Sequence, residues 1–538
     1  MISIYYNGKV FTGDENLRQA FVVKEGKFIY VGNNEDSLKY KDENSILINL
    51  DGNFVCPGFN DSHMHVLGYG YSLKMIELAK NTSSLKEVKD TIKDYINSNT
   101  LRENEWILGR GWNHDYFKDV NRFPTKDDLD NVSKDYPICI IRACGHVCVV
   151  NSKALELASI NKNTSQVEGG QFDIDKNGEP NGIFRENALN LIYNKIPKPD
   201  KEDIKNMILK ACKSLNSYGV TSAQTDDFIV FPGLDYEIII DAYKELTIEE
   251  KLTVKIYEQA QLAQKEELEN FLAKGYTTGV GDNYFKIGPL KLLGDGSLGA
   301  RTAYLNEPYS DDYKTSGICT YTQEQFDDMV ELAHKNNMQV AIHAIGDKAM
   351  DMVVNSIEKA LNNYPRNNHR HGVVHCQLTT ENLLNRFRDL QLHAYVQSIF
   401  LDYDINIVED RIGPYRSKTS YNFNRLFKDT TMSNGSDCPV ELPNVLNGIY
   451  CAVSRKTLTG KGPFLPNEAM SVKDALLSFT KMGAYASFEE DIKGEIAVDK
   501  FADFVILSDN ILDIDVDKIK DVKVLNTFID GKCVYSLE

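Results

Sequence analysis

The sequence predicts an α/β protein: a TIM (β/α)8 barrel, a small β-sandwich domain built from both termini, and a large insertion after strand one. Three observations predict it. Eight short apolar runs alternate with segments of helical periodicity through the middle of the chain, the pattern of parallel strands joined by helices. Several of those runs end in histidine, lysine or aspartate, and a TIM barrel carries its catalytic side chains at the C-terminal ends of its strands. Both chain ends instead show short strands and tight turns, as if they meet in one sandwich.

The N-terminal strands are read at 2–6, 8–11, 20–24, 27–31 and 45–49, with Gly26, Gly32 and Gly52 at the turns. Their C-terminal counterparts are 494–498, 503–507, 522–529 and 532–535. Residues 1–56 plus 491–538 then make the sandwich, and 57–490 the barrel. The barrel strands are expected at 54–65, 220–226, 252–259, 290–296, 339–346, 372–377, 393–400 and 431–437, several nearly all apolar as strands buried on both faces must be. From His65 to Val220 run about 150 residues, far more than a βα loop, so 72–205 is read as an insertion subdomain.

The first barrel strand closes on Pro57-Gly58-Phe59-Asn60-Asp61-Ser62-His63-Met64-His65. On extended backbone, residues two apart point to one side, so His63 and His65 converge on one ion. The later strand ends add Lys291 and Asp295, then His343, His375 and Asp437. Four imidazoles, an amine and two carboxylates on one rim predict a divalent metal centre, Zn²⁺ first, with one or two ions. Asp437 is read as a metal-bound carboxylate and proton shuttle, against a plain turn or helix cap. Lys291 lies in an apolar run, where an inward ammonium is costly. It is read as a carbamate bridging two ions, against an ammonium paired with Asp295 four residues on. His369 and His371 precede their apolar run and are taken as strand-entry surface, and His334 and His393 as structural. From the insertion, Trp112, His114 and His146 are candidates for substrate contact. The Cys144-Gly145-His146-Val147-Cys148 cluster lacks a fourth zinc ligand and is read as buried or substrate-facing side chains.

With 60 basic against 78 acidic residues the formal charge is −18, which argues against nucleic acid and anionic membranes as partners. No apolar run reaches about 18 residues, and the N-terminus lacks a basic then apolar leader pattern. The 10 cysteines are scattered, as in reduced cytoplasmic proteins. The expectation is a cytoplasmic protein with a small-molecule substrate; a homodimer is compatible with the chain.

Longer motifs carry a resemblance. Pro57-Gly58-Phe59, Asp61-Ser62-His63-x-His65, Asn434-Gly435-Ser436-Asp437-x-Pro439 and the closing Gly494-Glu495-Ile496-Ala497-Val498-Asp499-Lys500-x-Ala502-Asp503-Phe504-Val505 resemble the amidohydrolase superfamily. Gly109-Arg110-Gly111-Trp112, Gly145-His146, Gly182-Ile183-x-Arg185-Glu186-Asn187-Ala188, Asp295-Gly296-Ser297-Leu298-Gly299-Ala300-Arg301 and His343-Ala344-Ile345-Gly346-Asp347 resemble its amidohydrolase-3 branch, which includes YtcJ-like proteins and N-substituted formamide deformylases. The resemblance implies metal binding by His63, His65, His343 and His375, a catalytic Asp437, and Lys291 where the superfamily often has a bridging lysine. Hydrolysis of a non-peptide carbon–nitrogen bond in a small amide or formamide is the expected reaction, with Trp112, His146, Arg301 and Asp295 as substrate-binding residues. Two departures stand out. Val374 replaces a glutamate frequent in the branch, and Gly346 occupies the position where deaminating members carry a glutamate. A deaminase or isomerase on the same scaffold, or a non-catalytic scaffold protein, is the competing reading.

Overall fold

In the computed structural model of the chain, residues 2–14, 16–143, 147–167 and 169–537 are described, without the side chain of Asn187. One sheet holds eight strands in sequential order: β1 (Phe59–Met64), β2 (Val220–Thr225), β3 (Lys255–Gln261), β4 (Phe285–Leu293), β5 (Val340–Ala344), β6 (Gly372–His375), β7 (His393–Val396) and β8 (Thr431–Asn434). Every adjacent pair is parallel. The seam between β8 and β1 is drawn together beyond the strands, where Asp437 N donates to His63 O and His65 N to Cys438 O, each at 2.8 Å. The sheet is a TIM-type barrel.

Strand bounds differ from the sequence reading in an informative way. The ladders stop before His65, Asp226, Asp295 and Asp437, which stand in the first residues of the loops. β4 starts at Phe285 rather than at 290, because Lys286, Gly288 and Pro289 break the apolar pattern that marks a buried strand. Residues 54–57, read as the start of barrel strand one, pair antiparallel with Phe504–Leu507 in a different sheet.

That sheet contains Lys9–Val10, Phe54–Pro57, Phe504–Leu507, Val524–Ile529 and Lys532–Ser536, so both chain ends contribute. A second sheet holds Lys27–Gly32, Ala20–Lys24, Ile2–Tyr6 and Ile46–Asn49. Their shared core contains stacked pairs Tyr5–Phe21 (centroids 4.6 Å) and Phe504–Phe528 (4.3 Å). The strand expected at 494–498 is a run of turns: Ile496 drops into that core, while Glu495 is held by Lys481 and Lys500.

A buried ion cluster joins sandwich to barrel. Lys255 Nζ donates to Asp503 at 2.7 and 3.0 Å and to Asp530 at 2.7 Å, and its ammonium lies 4.0 Å from the Phe501 ring centre. The aspartate of the closing motif is thus a clamp on the start of β3.

Residues 70–203 form a compact unit of their own. Its six-stranded sheet runs Gly170–Ile174, Pro180–Glu186, Val147–Val150, Ile138–Arg142, Ile107–Trp112, Ile76–Glu77. Ile107, Ile138, Ile140 and Val149 make up part of its core. Among the described residues, no helix is long and apolar enough to cross a membrane.

Candidate metal centre

His63, His65 and Asp437 meet at the β1–β8 seam, with one ligand-competent atom of each within 4.8 Å of the others. Asp437 Oδ1 lies 3.4 Å from His63 Nε2 and 3.2 Å from His65 Nε2. The other two imidazoles continue the arc: ring centroids are 5.6 Å apart for His63–His375 and 4.4 Å for His375–His343.

Each imidazole is held by the nitrogen it does not present to the centre. His63 Nδ1 lies 2.8 Å from Gln259 Oε1, and Gln259 Nε2 donates to Ser62 O, which sets the amide's direction. His65 Nδ1 faces the Asp226 carbonyl at 2.8 Å, and His375 Nδ1 faces Gln397 Oε1 at 2.7 Å. An acceptor at Nδ1 places the proton there and leaves Nε2 as the ligand atom. His343 is reversed: its Nε2 faces Gly296 O and Asp295 Oδ1, both at 3.2 Å, so Nδ1 is the free nitrogen. Gln259, on β3, and Gln397, one residue past the end of β7, thus orient two of the four imidazoles.

Backbone geometry at the centre is specialised. Asp437 (φ 58°) and His375 (φ 81°) sit in the left-handed region, which costs roughly 1–2 kcal/mol for a residue with a Cβ and is retained where surroundings over-determine it. Gly435 lets the β8 loop cross β1 closely, since a Cβ there would lie 2.6 Å from His63 N. Asp61 ties the same crossing, accepting from Ser436 N at 3.0 Å, Ser436 Oγ and His63 N at 3.3 Å. Burial lifts the Asp61 carboxyl to about 7 against those bonds.

Electrostatics divide the imidazoles. Burial and the Lys291 ammonium hold His63 well below the ordinary histidine range, and burial with its neighbour His343 does the same to His375. Burial also opposes charge on His65, but the Asp437 and Asp226 carboxylates outweigh it and raise His65 to about 9. Burial opposes charge on Asp437 in turn, but its hydrogen bond from His65 and the nearby His63, His375 and His65 imidazoles outweigh it and hold the carboxylate well beneath its usual range. A cation taking the place of the His65 proton would meet a carboxylate, two to four neutral imidazole nitrogens and fixed orientations, a donor set that fits Zn²⁺ or a similar divalent ion.

Lys291 is buried within this site, but its partner is not Asp295. Its Nζ donates to Asp226 Oδ2 at 3.1 Å, and Gln261, in the amide orientation that satisfies both its polar atoms, donates to both Asp226 oxygens at 2.7 and 3.1 Å. Asp295 sits past the end of β4 and is spoken for by other groups. Its carboxylate accepts from Ile345 N (3.0 Å), Gly346 N (2.7 Å) and Tyr304 N (2.8 Å), besides facing His343. The carboxylate is thus committed to these backbone amides and to His343.

Three further expectations change. Trp112 is fully buried in the insertion's own core, so its ring does not offer a substrate contact. Arg301 closes a two-bond pair on Asp311 (3.0 and 2.8 Å), which commits its guanidinium. His369 and His371 do precede β6 but are buried, not surface: His371 Nε2 lies 2.8 Å from His334 Nδ1, and His369 Nδ1 accepts from His371 N. His114 stacks on Phe123 within the insertion. Cys148 lies in the insertion's core, while Cys144, Gly145 and His146 lie outside the described residues.

Comparison with known proteins places the chain in a family. Over 546 residues the chain is 31% identical to YtcJ of Bacillus subtilis (strain 168), named as an amidohydrolase, covering 99% of both chains. It is 23% identical to the N-substituted formamide deformylase of Arthrobacter pascens, covering 98% of this chain and 97% of that one. A crystal structure of an uncharacterised metal-dependent hydrolase from Pyrococcus furiosus superposes with a TM-score of 0.79 at 28% identity, covering 95% of this chain and 100% of that chain. The amidohydrolase family model matches residues 47–535, and the chain belongs to that family.

Proposed function

We propose that this protein is a metal-dependent hydrolase that cleaves a non-peptide carbon–nitrogen bond of a small amide or N-substituted formamide. The observation that carries this reading is the meeting of His63, His65 and Asp437 beside His343 and His375, each imidazole oriented through its far nitrogen. His63, His65, His343, His375 and Asp437 would hold the ion, Zn²⁺ by the nitrogen-rich donor set. When bound, a divalent cation supplies Lewis acidity toward a carbonyl oxygen and toward water. Asp437, beside His63 and His65, takes the proton of the attacking water and returns it to the departing amine. Its low proton affinity and its bond to His65 suit a group that must start each cycle ionised.

We read the site as holding one ion, with Lys291 as an ammonium. A carbamate on Lys291 would set an anion against the buried Asp226 carboxylate that now accepts from the amine. Hydrolysis is favoured over ring deamination because Gly346 has no side chain, and the Asp347 carboxylate next to it accepts from Asn306 N and Nδ2. The named substrate class of the 23%-identical deformylase supports the formamide end of the proposal.

The test is an activity screen of zinc-loaded protein against N-substituted formamides, N-acyl amino acids, cyclic amides and, as a control, dipeptides. Turnover of a non-peptide amide is expected. Turnover of dipeptides alone, or none of any carbon–nitrogen substrate by protein carrying a full ion, would overturn the reading.

A further inference from the structure

The loops that follow β4, β5, β6 and β7 enclose a cavity of about 490 Å³. Leu305, Leu378 and Ile412 form its buried apolar floor, and Tyr415 and Lys418 stand exposed at its edge. None of His63, His65, His343, His375 or Asp437 lines it, so it is distinct from the metal centre. The volume falls in the range of small-molecule sites, roughly 300–1,000 Å³.

The charges around this floor are unequally committed. The Asp347 carboxylate accepts from Asn306 N at 3.0 Å and Asn306 Nδ2 at 3.1 Å. Glu381 is paired with Arg425 at 2.8 Å. Arg416 spends its guanidinium on the carbonyls of Ile412, Glu307 and Pro308. Lys418 is the one charged residue of the lining whose side chain has no hydrogen bond or ion pair among the described residues. A ligand entering here meets an apolar floor, two acids already satisfied and one available cation.

We infer that this cavity is a second binding site, for a small carboxylate with an aromatic or branched apolar body. The body packs on Leu305, Leu378 and Ile412, and the carboxylate reaches Lys418. Burial of the body supplies the affinity, and the exposed ammonium supplies the preference for an anion over a cation.

Phenylacetate is the direct probe, titrated calorimetrically into the full chain, with benzyl alcohol and phenethylamine as its neutral and cationic counterparts. Saturable one-to-one binding of phenylacetate is expected, with phenethylamine at least about tenfold weaker. Ile412→Trp fills the floor and Lys418→Glu reverses the edge charge; each should weaken phenylacetate about tenfold or more. Lys418 is exposed, so its variant keeps the fold even if the tryptophan is not accommodated. His63→Ala, which damages the metal centre, should leave phenylacetate binding intact. Loss of binding in His63→Ala, equal binding of the amine, or unchanged binding in Lys418→Glu would each overturn the inference.

Discussion

Replacing Asp295 by asparagine tests whether a carboxylate outside the ion's reach decides how well the ion is held. Oδ2 serves Gly346 N and Tyr304 N, while Oδ1 serves Ile345 N and faces His343 Nε2 at 3.2 Å. An asparagine has one oxygen. Placed at Oδ2 it keeps two bonds without their charge assistance, and its NH₂ then confronts the Ile345 N–H. One buried donor without an acceptor costs about 1–3 kcal/mol, and losing the charge on the other two adds about 1 kcal/mol, for a total near 3 kcal/mol. The same NH₂ faces His343 Nε2 and drives its proton to Nδ1, the nitrogen that the proposed ion would use. Loss of such an orienting partner typically lowers metal affinity about 10–100-fold. Chemical unfolding of the metal-free protein measures the first effect, and chelator competition for zinc measures the second. A stability change under about 0.5 kcal/mol together with an unchanged zinc affinity would refute the reasoning.

Other consequences are equally checkable. Asp437→Asn keeps the shape and one coordinating oxygen but cannot take a proton, so turnover should fall at least about 10²–10⁴-fold while the fold stays intact; more than about a tenth of wild-type turnover would require another base. His369 is held down to about 4, mainly by burial, so its neutral form favours the folded state. That stabilisation is complete above about pH 6.5 and is lost as pH falls toward 4, up to about 3 kcal/mol at 1.36 kcal/mol per pH unit. Unfolding midpoints of wild type and His369→Gln should therefore converge as pH drops from 7 to 4.5; parallel curves would contradict the assignment. Lys255→Met strands the Asp503 and Asp530 carboxylates at the sandwich–barrel joint, and breaking a buried pair of this kind costs about 3–5 kcal/mol, read by chemical unfolding; a loss below about 1 kcal/mol would mean the joint does not depend on it.

The barrel was legible because buried parallel strands are written as apolar runs, and because metal-competent residues fall at their C-terminal ends. His63, His65, His343, His375 and Asp437 all stand on that rim. What the sequence hid is which groups partner one another across strands. Asp226 closes the predicted second strand, but nothing in its own neighbourhood announces that it receives Lys291 from β4. Gln259 and Gln397 carry no charge and match no metal-ligand pattern, although a polar amide near the end of an apolar strand is a signal that could have found them. Asp295 faces the mouth by position, yet its loop folds back so that backbone amides claim the carboxylate. Trp112 is the opposite case: a large ring in a motif reads as a contact, whereas its side chain fills the insertion's core.

The central claim is that these imidazoles and Asp437 hold one divalent ion. Anomalous diffraction at the zinc edge, from crystals of zinc-loaded protein, tests it most directly. The account predicts a single strong peak bounded by His63, His65 and Asp437, with Lys291 unmodified and still bonded to Asp226. Two peaks bridged by a carboxylated Lys291 would contradict the one-ion reading, and a peak only elsewhere, such as at His334 and His371, would contradict the centre itself.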